Sequence, residues 1–204
     1  MKLVFIGKQG SGKGTQARII SQKLNICHVS TGDLLRHVKG KLGKKIHSLI
    51  DEGNMVGDEL MLEVLMERLR KEDCKNGFIL DGYPRDLVQA RILEKEIGVD
   101  LIVEIYIEDK IVVDRLTNRL NCGNCGAIFN LKTNPPHKEG ICDKCSDELF
   151  VREDDNEAAI LQRLKLYKKK TQPVINFFGK KVIRVDGSKN VEEVAKEIEE
   201  KLKL

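Results

Sequence analysis

The stretch Gly7-Lys8-Gln9-Gly10-Ser11-Gly12-Lys13-Gly14-Thr15-Gln16 carries the spacing Gly-x-x-x-x-Gly-Lys, a pattern suited to holding phosphate. Residues without side chains let successive backbone amides turn inward on phosphate oxygens, and a lysine on a flexible stem adds a mobile positive charge. The next position, Gly14, is where the general pattern places the Ser or Thr that ligates magnesium. Here the hydroxyl stands one residue later, at Thr15, which leaves the ion to phosphates and water with Thr15 in outer support. A second group fits the same chemistry: Asp81 ends the apolar run Phe78-Ile79-Leu80, a position from which a carboxylate faces a phosphate-bound magnesium through water. Capping of the following turn is the plainer use of the same residue.

Four of the six cysteines form two pairs, Cys122-x2-Cys125 and Cys142-x2-Cys145, with sixteen residues between them. Two such turns present four thiolates to one tetrahedral ion, and a shell made only of cysteine leaves no coordination position for a substrate, so the expected metal is a structural zinc. Iron or cobalt would accept the same ligands. Disulfides are the competing use of these residues, and a nucleic-acid-binding ribbon is another. Against the ribbon, Phe129 is the lone aromatic before the second pair closes and basic residues are few. Cys27 and Cys74 stand alone and are expected to be small core or helix-face residues, and His37, His47 and His137 solvent-facing.

These groups need elements to position them. Short runs rich in Val and Ile, at Leu3 to Ile6, Ile26 to Val29, Phe78 to Asp81, Leu101 to Ile107 and Val182 to Val185, lack polar alternation and predict strands buried on both faces. Between them, Leu60, Val64, Leu65 and Leu69, and later Val191, Val194, Ala195, Ile198 and Leu202, recur at helical spacing. Strand alternating with helix predicts a doubly wound parallel sheet. The phosphate-loop candidate then falls between the first strand and the first helix, the order such a cradle requires. Two segments break the rhythm: one rich in Gly and Lys, the other holding the cysteine pairs. No apolar run approaches the roughly 20 residues that cross a bilayer, and the start turns polar too early for a secretory signal, so a cytosolic protein is expected. The 36 basic residues exceed the 32 acidic ones by a margin spread along the chain, which argues against a concentrated nucleic-acid-binding face. Lys168-Lys169-Lys170 reads as a solvated helix face.

Together, GKQGSGKGTQ, Ser30-Thr31-Gly32-Asp33-Leu34-Leu35-Arg36, Asp81-Gly82-Tyr83-Pro84-Arg85 with Gln89, and Arg152-Glu153-Asp154-Asp155 followed by Arg163 resemble the adenylate kinase family in order and spacing, in its zinc-containing, long-lid form. The resemblance covers the chain from Lys2 to the last helix. It implies a P-loop three-layer α/β/α fold around a five-stranded parallel sheet, with residues 1–29, 57–117 and 156–204 as the core, 30–56 as an AMP-binding insertion and 118–155 as a zinc-bearing lid. The implied reaction is reversible phosphoryl transfer, ATP plus AMP giving two ADP, with magnesium.

By the same resemblance Lys13, Arg85, Arg119, Arg152 and Arg163 are catalytic. Gly10, Ser11, Gly12, Lys13, Gly14, Thr15, Arg119, Ile128, Phe129 and Lys189 bind ATP. Thr31, Arg36, Met55, Val56, Gly82, Tyr83, Arg85, Gln89, Arg152 and Arg163 bind AMP. The residue types agree: phosphoryl transfer needs positioning and spread positive charge more than covalent help, and a guanidinium fork binds phosphate bidentately. Ser30 and Asp33 also carry the S-x-x-D spacing of a helix start. The chain departs from the family pattern at Gln9, where Pro is usual, at Gly57, and at Leu120. Expected partners are ATP, AMP and ADP, with no nucleic acid or membrane, for a monomer in adenine nucleotide homeostasis. UMP, CMP or GMP as acceptor, or a P-loop ATPase with a macromolecule-binding ribbon, remain alternatives.

Overall fold

Five short apolar runs pair into one parallel sheet because a helical crossover returns the chain to the same end of the sheet before each new strand; the three central runs are buried on both faces as expected, whereas the two edge runs, Cys27–Ser30 and Val182–Asp186, are only partly buried. The computed structural model describes residues 1–38, 43, 46 and 57–204, with Arg36 and His37 described in backbone only. Its sheet comprises β1 (Lys2–Ile6), β2 (Cys27–Ser30), β3 (Phe78–Asp81), β4 (Leu101–Tyr106) and β8 (Val182–Asp186), in the order β2-β3-β1-β4-β8. The strand order reverses around β1, and the C-terminal ends of β1 and β3 lie side by side, with Phe5 paired to Asp81. Ligands of such sheets bind at this switch point.

Helices cover both faces. On one side Ile20 and Ala17 of α1 (Lys13–Leu24) and Val194, Ile198 and Leu202 of the C-terminal helix pack on Leu3, Phe5, Val103 and Val185. On the other, Met61 and Leu65 of α3 (Asp58–Leu69), Ala90 and Leu93 of α4 (Leu87–Glu96) and Val174 and Phe178 of α7 (Gln172–Phe178) cover Val4, Ile6, Val29, Leu80 and Ile102. The helical periodicity over residues 60–69 is thus realised in α3, although Met61 and Leu65 are the residues fully enclosed. The short helix α2 (Thr31–His37) starts directly from β2, and Ser30 Oγ accepts from the Asp33 amide at 3.3 Å, as the S-x-x-D spacing implies.

After α5 (Asp109–Thr117) the chain leaves the core and forms a small antiparallel sheet, β6-β5-β7, from β5 (Arg119–Cys122), β6 (Ile128–Asn130) and β7 (Leu149–Phe150). Its interior is slight: Cys122, Ala127, Phe129 and Cys142, with Leu120, Cys145 and Leu149 against them. The chain returns through a short 3-10 turn, Glu153–Asp155, into α6 (Glu157–Leu166), a π-helical turn Tyr167–Thr171, and α7. Helix α8 (Val191–Leu202) closes the fold, its start fixed by a reciprocal cap between Asn190 and Glu193.

One expectation is corrected. Cys27 and Cys74 are core residues, 7% and 5% exposed, but they are not separate: a disulfide joins them, with Cα atoms 5.1 Å apart. Cys27 opens β2, and Cys74 sits in the 3-10 turn that leads into the neighbouring strand β3, so the sheet register itself brings the two together across 47 residues of sequence. His47 lies outside the described residues. His137 is solvent-facing as expected, its Nδ1 2.8 Å from Asp143. Lys168 to Lys170 are exposed.

Candidate active site

The phosphate loop runs from the end of β1 into α1. Gly12 is the residue before the helix and has φ +93°, a left-handed conformation open mainly to glycine. It brings no capping side chain, so the first helical amides stay available to an anion, with the helix dipole behind them. A Cβ on Gly14 would lie 3.3 Å from Asp81 Oδ2. The side chain absent at Gly14 therefore leaves room for the carboxylate that ends β3. Ser11 Oγ is buried without a hydrogen-bond partner among the described residues. Lys13 Nζ donates to the Lys8 carbonyl at 2.8 Å. Burial pushes the Lys13 ammonium down to about 8, opposed by Asp81 and assisted by the positive charges of Arg85 and Arg119. One lysine, one carboxylate and two guanidiniums are thus close enough to act on each other.

The arginines from the distal segments meet on a shared carboxylate. Asp155, whose side chain is fully enclosed, receives Arg119 Nε at 2.8 Å and Nη2 at 2.7 Å as a two-pronged contact, and Arg163 Nη2 at 3.2 Å. Arg163 also pairs with Asp154 at 2.5 Å and donates to the Asp154 carbonyl, while its Nε is buried with no partner among the described residues. Asn156 caps α6 by accepting from the Ala159 amide at 2.9 Å, which sets the helix phase that turns Arg163 back on Asp154 and Asp155. Arg152 stands next to this pair at the start of the 3-10 turn.

On the other side of the loop, Lys13, Gly82, Arg85, Asp154 and Arg163 line a cavity of about 210 Å³. Arg85 Nε donates to the Gly82 carbonyl at 2.8 Å, and the Thr171 hydroxyl to the Arg85 carbonyl at 2.8 Å. Thr31 is buried with Oγ1 3.2 Å from the Asp81 carbonyl. Gln89 is buried as well: its Oε1 accepts from the Arg85 amide at 2.8 Å and its Nε2 donates to Asp58 at 2.8 Å. Among the described residues these contacts use one proton and one lone pair of its carboxamide. Tyr83 is enclosed, its hydroxyl 3.4 Å from the Gln89 carbonyl, and burial raises its pKa to about 12.

The four lid cysteines also gather. Cys122 Sγ lies 3.4 Å from Cys145 Sγ and Cys125 Sγ 3.5 Å from Cys142 Sγ, with all four atoms within 4.8 Å of one another. A tetrahedron of thiolates at zinc–sulfur distances has edges of about 3.8 Å, so the donor set fits such an ion. Backbone amides beside Cys122, that of Cys125 foremost, draw its thiol down to about 7.

Not every expected residue joins this centre. Lys189 is exposed and pairs with Glu197 at 2.8 Å. Phe129 is enclosed in the lid interior, while its neighbour Ile128 is exposed, so only Ile128 offers an apolar side chain outward. Met55, Val56 and the side chain of Arg36 lie outside the described residues. Gly10 and Thr15 take their places in the loop and the first turn of α1. Several residues were not anticipated. Arg115 donates to the Gly10 carbonyl and to the Ser188 carbonyl, both at 3.3 Å. Asp58 accepts from Gln89 Nε2, Asp155 joins the two arginines, and Lys8 Nζ reaches the Ile107 carbonyl and Asp109. Of these, Asp155 had a signal, an acid beside a motif arginine just before a helix; the others depend on contacts between distant segments.

Comparison with known proteins agrees with this geometry. Residues 5–183 match the family model described as adenylate kinase. An adenylate kinase of Archaeoglobus fulgidus is 44% identical, over 98% of this chain and 96% of its own length. One from Caldicellulosiruptor bescii is 44% identical over 97% of each chain, and one from Bacillus licheniformis 44% identical over 99% of this chain and 98% of its own. A phosphate loop at the switch point, arginines converging from three segments on a cleft beside it, and a four-thiolate lid stand together in one chain, and by these full-length matches that chain belongs to the adenylate kinase family.

Proposed function

We propose that the cleft performs the adenylate kinase reaction, reversible transfer of a phosphoryl group from ATP to AMP to give two ADP, by a division of labour among the residues described above. The loop amides from Gly10 to Thr15, with Lys13, hold the ATP phosphates. Arg36, Arg85 and Thr31 hold AMP, with Gln89, Gly82, Tyr83, Met55 and Val56 around its base. Arg119, Arg152 and Arg163 serve the transferring group from the lid side, and Ile128 flanks the ATP base. An AMP phosphate oxygen, already unprotonated at neutral pH, attacks the γ-phosphorus in line; the bond to the β–γ bridging oxygen breaks and its electron pair stays on the departing ADP. No general base is needed, and the work is positioning and charge stabilisation. Magnesium entering with ATP would offset phosphate charge, and Asp81 and Thr15 would hold its waters.

The observation that carries this reading is Asp155, which holds Arg119 and Arg163 on one carboxylate while Arg119 and Arg85 both bear on Lys13. Residues 30–56 and 118–155 serve as the AMP-binding insertion and the lid, the rest as the core, and the four cysteines bind a structural zinc. The protein acts as a cytoplasmic monomer; among the described residues no helix is long and apolar enough to cross a membrane. A coupled assay of ADP formation from ATP with AMP, UMP, CMP or GMP tests the reading. AMP-dependent turnover exceeding the others is expected, and Arg119→Ala should lower it by about 10³-fold. ATP hydrolysis indifferent to AMP would overturn it.

A further inference from the structure

The second residue of the phosphate loop is a lysine with its ammonium inside the protein. Lys8 is 9% exposed. Its Nζ donates to the Ile107 carbonyl at 2.7 Å, lies 2.6 Å from Asp109 Oδ1, and sits 5.2 Å from the centre of the Tyr106 ring. The three partners follow one another from Tyr106, the last residue of β4, through Ile107 to Asp109, the first of α5. Asp109 is held from its other oxygen by Lys168 at 2.6 Å, on the turn that follows α6, the helix bearing Arg163. Arg184 takes up the Tyr106 ring as well, 5.1 Å from its centre, and is itself paired with Glu104. Lys8 thus forms a wall between the nucleotide cleft and a second hollow lined by Glu104, Tyr106, Asp109, Lys168 and Arg184.

A buried ammonium with this many partners is expensive to desolvate, and the partners named are all protein groups. The Lys8 main chain serves the loop instead. The Lys8 carbonyl accepts the Lys13 ammonium at 2.8 Å and the Ser11 amide at 3.2 Å. The same residue is therefore nailed to the sheet through its side chain and holds the phosphate-binding lysine through its backbone. We propose that Lys8 is a positioning residue for phosphoryl transfer, anchoring the loop to the β4–α5 connection so that its carbonyl parks Lys13 beside the ATP phosphate site. Lys168 links that anchor to the segment carrying Arg163, so the two positive arms of the site share one carboxylate support. Both lysines hold the Asp109 carboxyl below the usual carboxylate range, Lys168 the more strongly, so the support is charged throughout the working pH range.

This inference rests on the assignment of Lys13 to ATP, and the test separates the two. Lys8→Met keeps the stem and removes the charge. Steady-state kinetics should show kcat/KM for ATP lowered by about tenfold to a hundredfold, as for a displaced binding group, with KM for AMP within twofold of the parent enzyme. A merely structural lysine would move both nucleotides alike or neither. Asp109→Asn should give a smaller loss with the same ATP selectivity, and the double variant should lose no more than Lys8→Met alone, because both act through one contact. Lys13→Met is the control. If it leaves ATP kinetics unchanged, the site assignment fails. If it abolishes turnover while Lys8→Met stays within twofold for both nucleotides, the positioning role alone is overturned. Should Lys8→Met not fold, Asp109→Asn decides: ATP-selective loss upholds the role, and unchanged or equal effects on both substrates refute it.

Discussion

Lys13 in the nucleotide-free protein is a cation that burial disfavours, with its pKa lowered from 10.5 to about 8 and Asp81 only partly compensating. A lowered lysine pKa works against folding wherever the unfolded chain would hold the proton. The penalty is full below pH 8 and fades as pH rises toward 10.5, where the unfolded chain also loses its proton. Phosphates reverse the balance by supplying negative charge at hydrogen-bond range. ATP binding near pH 8.5 should therefore take up more than half a proton, and near pH 6.5 almost none through this group. Calorimetric titrations in buffers of differing ionisation enthalpy measure that uptake, and Lys13→Met should remove it. Equal proton uptake by the variant would show that another group responds to the nucleotide. Gly14 belongs to the same scale of reasoning. Its departure from the general loop pattern is legible in sequence as a missing hydroxyl, whereas its cause, the approach of Asp81 Oδ2, depends on β1 and β3 being neighbours and could not be read locally.

Among the elements, the 3-10 turn Glu153–Asp155 and the lid sheet behave differently from the core. Asp155 has no exposure and faces two guanidiniums. Asp155→Asn keeps the shape but leaves Arg119 and Arg163 as neighbouring enclosed cations without their shared anion. Loss of a buried partner in this way costs about 3 kcal/mol, and the arginines should separate. Chemical denaturation should show the stability loss, and the coupled assay a fall of at least about a hundredfold in kcat; unchanged kcat would mean that the arginines find the phosphates without Asp155. The lid has too few apolar residues to fold on burial alone, so its order should follow its metal. If the four cysteines hold zinc as proposed, a strong chelator should speed amide exchange across residues 120–150 while strands β1, β3 and β4 stay protected. Uniform loss of protection would assign the metal a role in the whole fold. The cysteine spacing made this element legible because its ligands come in two local pairs. The Asp155 pairing, 36 residues from Arg119, had only a charge pattern to announce it.

At the scale of the molecule, five strands and their alternation with helices were readable from apolar runs, and no strand end departs from its run by more than one residue. What escaped the sequence was what the sheet order creates. Cys27 and Cys74 read as separate small residues because nothing local links them; pairing of β2 with β3 places the two beside each other, and the disulfide follows. The bond encloses the chain from β2 through α2 to α3, the span proposed to bind AMP, in a loop of 47 residues. Restricting a loop of that length in the unfolded chain stabilises the fold by about 4 kcal/mol in the chain-entropy account, which for a chain of this size is a shift of roughly 8–16 °C in melting temperature. The two strands are also joined by their own hydrogen-bonded pairing, so the native cleft is expected to survive loss of the bond. Reduction, or Cys27→Ser with Cys74→Ser, should lower the melting temperature by that amount while KM for AMP and kcat at 25 °C stay within about twofold, and reductant should have no further effect on the double variant. A reduced protein that melts where the oxidised one does would show that the unfolded chain is already compact over this span; a large rise in KM for AMP at low temperature would make the bond part of the acceptor site itself.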